Sequence, residues 1–182
     1  SFDYGNIHFV NLSTSSFKDD AYQMQLAWLE QDLAASDKLW KVVFFHVPIY
    51  SSGSHGSDED GKNAAILPIF DAHHVDLVIT GHDHIYERYR PMRAGAEVSS
   101  YSEGSCYMVS GGGGAATDPL YAFRIKEPGL EVGDNKHHYV RVRVTNNVMQ
   151  IQAVRVSGTG CFQGGEGIID EFSIVKSLSE DP

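Results

Sequence analysis

Basic residues are scarce in this chain. Lys and Arg number 14 against 24 Asp and Glu, a formal net charge of −10 over 182 residues. No basic stripe or cluster breaks that acidic background, so nucleic acid is not an expected partner. An anionic substrate has to be drawn in locally, for instance by metal ions, because the overall field repels it. Cysteine is scarcer still, with Cys106 and Cys161 alone. One pair permits a disulfide without requiring it and leaves the redox compartment open. No apolar run approaches the ~20 residues of a membrane span. No secretory leader is visible either, which says little, because the chain opens on what reads as a strand, Phe2–Val10. The glycine run Gly111–Gly114 has no G-K-[ST] after it and fails as a phosphate-cradling P-loop. Asn11-Leu12-Ser13 fits a glycosylation acceptor but continues a strand pattern, and is discounted.

What remains is an ordinary globular composition, 42% hydrophobic and 21% charged, at a length that suits one domain with a real core. After the opening strand, Ser16 is placed to cap a helix whose first turn carries Asp19 and Asp20. Tyr22, Leu26, Leu29 and Leu33 then repeat at helical spacing and read as core. The strand Trp40–Phe45 follows, then a polar loop over 50–62, then a short helical segment over Ala64–His73 that Pro68 either kinks or restarts. Val75–Thr80 and Cys106–Ser110 are further strands, and 115–137 reads as an irregular excursion. Tyr139–Thr145 and Val148–Val156 alternate about Asn146-Asn147 as a hairpin, and Ile168–Val175 is a last strand. The order is βαβ-like first and β-rich later, an α/β chain packed as one unit over 1–182.

Chemistry concentrates in Gly81-His82-Asp83-His84, directly after the apolar run Val75–Thr80. In open α/β sheets, ligand sites lie outside the carboxyl ends of strands, and a glycine there lets the backbone turn sharply. Imidazole is the commonest metal-binding side chain. The strand Trp40–Phe45 ends the same way, in His46-Val47-Pro48, which puts His46 on the edge that carries His82 and His84. A metal site is therefore expected from His46, His82 and His84, against the alternative of three hydrogen-bonded rim histidines. His73-His74 and His137-His138 read as surface doublets, and His8 as a packed strand residue. Glu87 and Arg88 either orient the imidazoles or form an ordinary buried ion pair.

Taken together, H-x-P, then G-H-x-H running into Tyr86-Glu87-Arg88, then Tyr107-x-Val109-Ser110 before four glycines, resembles the C-terminal half of calcineurin-like metallophosphoesterases. Purple acid phosphatases are the most similar branch. The resemblance implies part of an αββα sandwich, two packed β-sheets flanked by helices, with a two-metal centre at the strand ends. His46 and His82 would bind one ion and His84 the other, the metals being Fe, Zn or Mn. His55, nine residues beyond His46, falls where such enzymes carry a substrate-side histidine that binds phosphate oxygen or protonates the leaving group. Gly56 stands where plant-type relatives have a second histidine. A small phosphate ester is the implied substrate, and a secreted or periplasmic location the implied setting.

The family completes its centre with carboxylates and an asparagine from G-D-x-x-Y and G-N-H motifs in an N-terminal half, and this chain has neither motif. Three histidines without a bridging carboxylate do not hold two cations close together. The expectation is that 1–182 is the C-terminal portion of a catalytic domain whose N-terminal portion, absent from this chain, comes from the same precursor or a second chain. Alone, the chain should be inactive. The competing reading is a non-catalytic module with one residual mononuclear site.

Overall fold

A computed structural model describes residues 1–14, 19–58, 61, 63–118, 127–156 and 167–177. The opening run is not one strand. Gly5, at φ 59°, turns it into a hairpin of β1 (Phe2–Tyr4) and β2 (Ile7–Asn11), because glycine takes this left-handed conformation without a steric penalty. Helix α1 (Asp19–Ala35) leads to β3 (Trp40–Phe44), which lies parallel to β2. The Ser16 cap falls outside the described residues. A 3-10 turn, Asn63–Ile66, leads into α2 (Leu67–His73), with Pro68 in its first turn, so the proline opens this helix instead of kinking it. Strand β4 (Leu77–Thr80) lies parallel to β3, and β5 (Tyr86–Tyr89) follows the histidine turn.

Two elements escaped the sequence pattern. A hairpin of β6 (Met92–Arg93) and β7 (Ala96–Glu97) turns on Ala94 and Gly95, both at positive φ. After β8 (Cys106–Ser110), which is parallel to β4, β9 (Leu130–Asp134) lies within the stretch read as irregular. Its sequence, Leu-Glu-Val-Gly-Asp, has too little apolar character to announce a strand, and it forms by antiparallel pairing on β5 at the sheet's edge. The first sheet thus runs β1-β2-β3-β4-β8-β5-β9. Strands β10 (His138–Thr145), β11 (Val148–Arg155) and β12 (Gly167–Val175) form a second, antiparallel sheet with the expected hairpin at Asn146-Asn147.

Side-chain alternation along the parallel strands decides the layering. Trp40, Val42, Leu77, Cys106 and Met108 pack against Met149, Ile151, Ala153 and Ile174 of the second sheet. Val43, Val78 and Tyr107 face the other way, onto Leu29 and Leu33 of α1 and Phe70 of α2. Both faces of the parallel strands are therefore buried, the condition under which such strands read as continuous apolar runs. Each fully buried side chain of this size contributes ~1.5–3 kcal/mol. The expected α/β sandwich is observed, with both described helices on the first sheet's outer face.

His8 is packed as expected, its two ring nitrogens 2.7 Å from Asp3 and 2.9 Å from Asp32. His138 is not a surface residue. It is 3% exposed, stacks edge-on against Tyr86, and its ring nitrogens meet the Lys136 carbonyl and Ser110 hydroxyl. His137, one residue ahead of β10, is exposed, whereas His138 opens the strand with its side chain turned inward. Cys106 lies in the core, and the question of its pairing with Cys161 falls outside the described residues.

Candidate active site

Three parallel strands, β3, β4 and β8, end at one edge of the first sheet, and the segments that follow them meet there. The Gly81 N–H donates to the His46 carbonyl at 3.1 Å, and the Gly111 N–H to that of Ile85 at 3.0 Å. Within the turn, Asp83 N–H bonds Gly81 O at 2.8 Å and Ile85 N–H bonds Asp83 O at 2.9 Å. The residue bent into the left-handed region is His82, at φ 67°. A non-glycine residue held there costs of order 1–3 kcal/mol, and such strain concentrates at functional sites.

That bend brings His82 to His46. Nδ1 of His82 lies 3.1 Å from Nε2 of His46, with the rings edge-on at 4.9 Å between centroids. His55 joins them, its ring 4.2 Å from that of His82. Burial, with His82, His84 and His55 as further like charges, holds the His46 pKa below its usual value, which favours the neutral imidazole that metal binding requires. His84 is set differently. Its Nδ1–H donates to the Ala116 carbonyl at 2.8 Å, which leaves Nε2 as the donor atom for a ligand. All four histidines selected from the sequence lie at this edge, three of them in ring contact and His84 on the far side of Asp83.

Below the histidines lies a layer of buried carboxylates, Asp83 and Glu87, of which the sequence reading singled out only Glu87. Asp83, with a fully buried side chain, accepts the His55 backbone N–H and its ring Nδ1–H, both at 2.9 Å, and the Ser51 hydroxyl. Burial pushes its pKa up, but the bonds from Ser51 and His55 outweigh it and hold the carboxyl below the ordinary range. Glu87 accepts the Ser52 N–H at 3.0 Å, the Ser52 hydroxyl and the Tyr89 hydroxyl at 3.0 Å. Here burial wins and its pKa is raised. Glu87 thus fastens the His55 loop and orients no imidazole. Arg88, on the opposite face of β5, pairs with Asp170 and Glu131, the ordinary ion-pair alternative. A carboxylate inside G-H-x-H, with Ser51-Ser52 on the facing loop, was the available signal.

Asp118 closes the edge, its Oδ2 accepting the His84 N–H at 2.9 Å and the Ser54 hydroxyl at 3.1 Å. Ligand atoms of His55, Asp83 and Asp118 lie within 4.8 Å of one another, close enough to hold a cation. Asp83 already accepts donors on both oxygens, and Asp118 on Oδ2. Two of the four glycines are required by this packing. A side chain at Gly111 would run into the Asp83 backbone, and one at Gly112 would stand 2.7 Å from the His138 ring, whereas Gly113 and Gly114 face open space.

Residues 1–86 match the family model of the calcineurin-like phosphoesterases. The protein Rv2577 of Mycobacterium tuberculosis is 31% identical over 205 residues, covering 84% of this chain and 38% of its own length. The chain belongs to the calcineurin-like phosphoesterases. Within that family it is similar to purple acid phosphatase 18 of Arabidopsis thaliana, 38% identical over 100 residues, 52% of this chain and 22% of that protein. The fold agrees. A purple acid phosphatase of yellow lupin superposes with a TM-score of 0.79 over 96% of this chain and 32% of its own, at 21% identity. The Plasmodium inner-membrane-complex anchor GAP50 does so at 0.71, covering 96% of this chain and half of that one, at 18% identity. The chain thus spans between about a fifth and two fifths of the curated relatives it matches. No described helix is long and apolar enough to cross a membrane.

The family generally uses a dinuclear metal centre, and one pair of these histidines has the spacing of two ligands to a single ion. Two imidazole nitrogens that share one ion, each ~2.0–2.1 Å from it, stand about 2.9–3.4 Å apart depending on the bond angle. The 3.1 Å between His46 and His82 falls in that range.

Proposed function

We propose that this chain is part of a metal-dependent phosphoesterase and supplies the histidine side of its two-metal centre. The observation that carries the reading is the His46–His82 nitrogen pair at the strand edge, with His84 beside it in a fixed tautomer. His46 and His82 hold one ion and His84 the other. Bound there, the metals supply Lewis-acid polarisation of a phosphoryl oxygen. His55, on the loop facing His82, binds a phosphate oxygen or protonates the leaving group. Among the described residues, no carboxylate is in place to bridge two ions at His46, His82 and His84, and we assign the bridging ligands to an N-terminal portion outside these 182 residues. The substrate is a small phosphate ester, and the metals are drawn from Fe, Zn and Mn, which imidazole and oxygen donors accept alike. The likeness to purple acid phosphatases supports a secreted or periplasmic setting.

Loaded with Zn, Mn or Fe, these 182 residues alone are expected to hold at most one weakly bound ion and to leave an aryl phosphate intact. Adding the N-terminal portion should restore turnover. Two tightly bound ions per chain with robust turnover would overturn the shared-site reading. A metal that binds but never supports hydrolysis, even in the complete protein, would favour the non-catalytic module instead.

His55→Ala in the complete protein is expected to lower kcat/KM by ~10²–10⁴-fold, the usual contribution of a general acid. The loss should be greatest for alkyl phosphates, whose leaving groups need the proton most, with metal content unchanged. Equal loss for aryl and alkyl esters would assign His55 to phosphate binding instead, and no loss would remove it from the site.

A further inference from the structure

We infer that Asp83 is a positioning residue that presents His55 to the substrate. The inference rests on the phosphoester hydrolysis proposed above. Asp83 lies between His82 and His84 in sequence, but its side chain is fully buried and points beneath them to the neighbouring loop. One oxygen, Oδ1, takes both the backbone N–H and the ring Nδ1–H of His55, each at 2.9 Å. Two bonds from one residue to one atom fix its backbone and its ring against the same point. The other oxygen takes the Ser51 hydroxyl, four residues earlier on that loop.

An ionised carboxylate only accepts hydrogen bonds, so Nδ1–H donates in this pair, and the proton that the role proposed above delivers to substrate is the one on Nε2. The His55 side chain is 41% exposed and faces the His82 ring. The carboxylate itself is immobilised from two further sides. Gly53 lies so close that any side chain there would enter the Asp83 carboxyl group, and Gly111 packs on the Asp83 backbone carbonyl. A site group whose support is itself locked by packing is the arrangement that holds catalytic geometry within a fraction of an ångström. Asp83 therefore couples two parts of the site. The turn that sets His82 and His84 also sets His55, so metal ligands and substrate histidine share one rigid anchor.

A double-mutant cycle on the complete, metal-loaded protein tests this, with kcat and KM measured on an aryl and an alkyl phosphate and with ¹⁵N spectra of the histidine rings. Asp83→Ala should lower kcat/KM as far as His55→Ala does, ~10²-fold or more. The double variant should be no worse than either, since residues that act as a unit are not additive. Asp83→Asn, which keeps one acceptor oxygen, should recover most of the activity. The His55 ring should lose its Nδ1–H preference in Asp83→Ala. Additive losses in the double variant, or an unchanged ring spectrum, would overturn the assignment. If Asp83→Ala does not fold, Asp83→Asn decides: the His55 Nδ1 proton should shift as its charged acceptor is replaced, and a resonance that stays put overturns the pairing. Should the wild-type protein turn over no phosphate ester, the functional reading fails, and the ring spectra still decide whether Asp83 holds His55.

Discussion

Replacing His82 by glycine is expected to raise stability slightly while removing metal binding and turnover together. His82 is held at φ 67°. For a residue with a Cβ this conformation costs roughly 1–2 kcal/mol, which glycine avoids. Glycine loses more backbone entropy on folding, an opposing ~0.5–1 kcal/mol, so the net gain is about 0–1.5 kcal/mol. The functional effect is far larger. Losing an outer partner of a metal-binding histidine typically costs 10–100-fold in affinity or activity, and losing a ligand should cost at least that much. His82→Ala separates the two effects, because alanine keeps the strained backbone and removes only the imidazole. Metal content, thermal unfolding and turnover on an aryl phosphate, measured side by side, check the expectation. Full metal content and normal turnover in both variants would remove His82 from the site.

The parallel core and the histidine edge were legible because burial on both faces leaves a plain trace. Trp40–Phe44 and Leu77–Thr80 are apolar apart from Lys41 and Thr80, and each hands a histidine to the same side of the sheet. What the sequence hid was held by tertiary pairing. Strand β9 exists because β5 offers it an edge to bond with, and nothing in Leu-Glu-Val-Gly-Asp demands it. Gly81 marks a sharp turn in the sequence, but the left-handed residue of that turn is His82, which no pattern announces. Asp83 and Glu87 were the harder case. Asp83 has no signal of its own, Glu87 reads either as an imidazole-orienting group or as half of a buried ion pair, and only the approach of Ser51 and Ser52 across the site shows that both carboxylates anchor the His55 loop. The motif histidines announced the site. The residues that hold its geometry did not.

Truncating Arg88 is expected to destabilise the fold strongly and to leave the histidine cluster intact in the molecules that remain folded. Arg88 is 7% exposed and reaches from β5 to the second sheet, its Nε 2.6 Å and its Nη2 3.2 Å from the two oxygens of Asp170 on β12. Nη1 meets Glu131 and the Tyr101 hydroxyl, and the guanidinium lies 4.4 Å above the Phe172 ring. Burial works against the charge, but the Asp170 bonds outweigh it and keep the arginine ionised. In Arg88→Ala, Asp170 would keep the Tyr86 hydroxyl at 2.8 Å but lose its cation. Breaking a buried pair in this way typically costs about 3–5 kcal/mol, because it strands an uncompensated charge. Replacing the whole pair, as in Arg88→Met with Asp170→Leu, should recover much of that loss, since apolar groups of similar volume carry no desolvation penalty. Urea unfolding of the unaltered protein and the two variants measures the difference. Strand alternation predicts the functional side: Arg88 faces the second sheet, and Glu87 faces the His55 loop. Metal content per folded molecule should therefore be unchanged in Arg88→Met/Asp170→Leu. A single-variant loss below about 1 kcal/mol, or a double variant as unstable as the single, would show that this ion pair is not what ties the two sheets together.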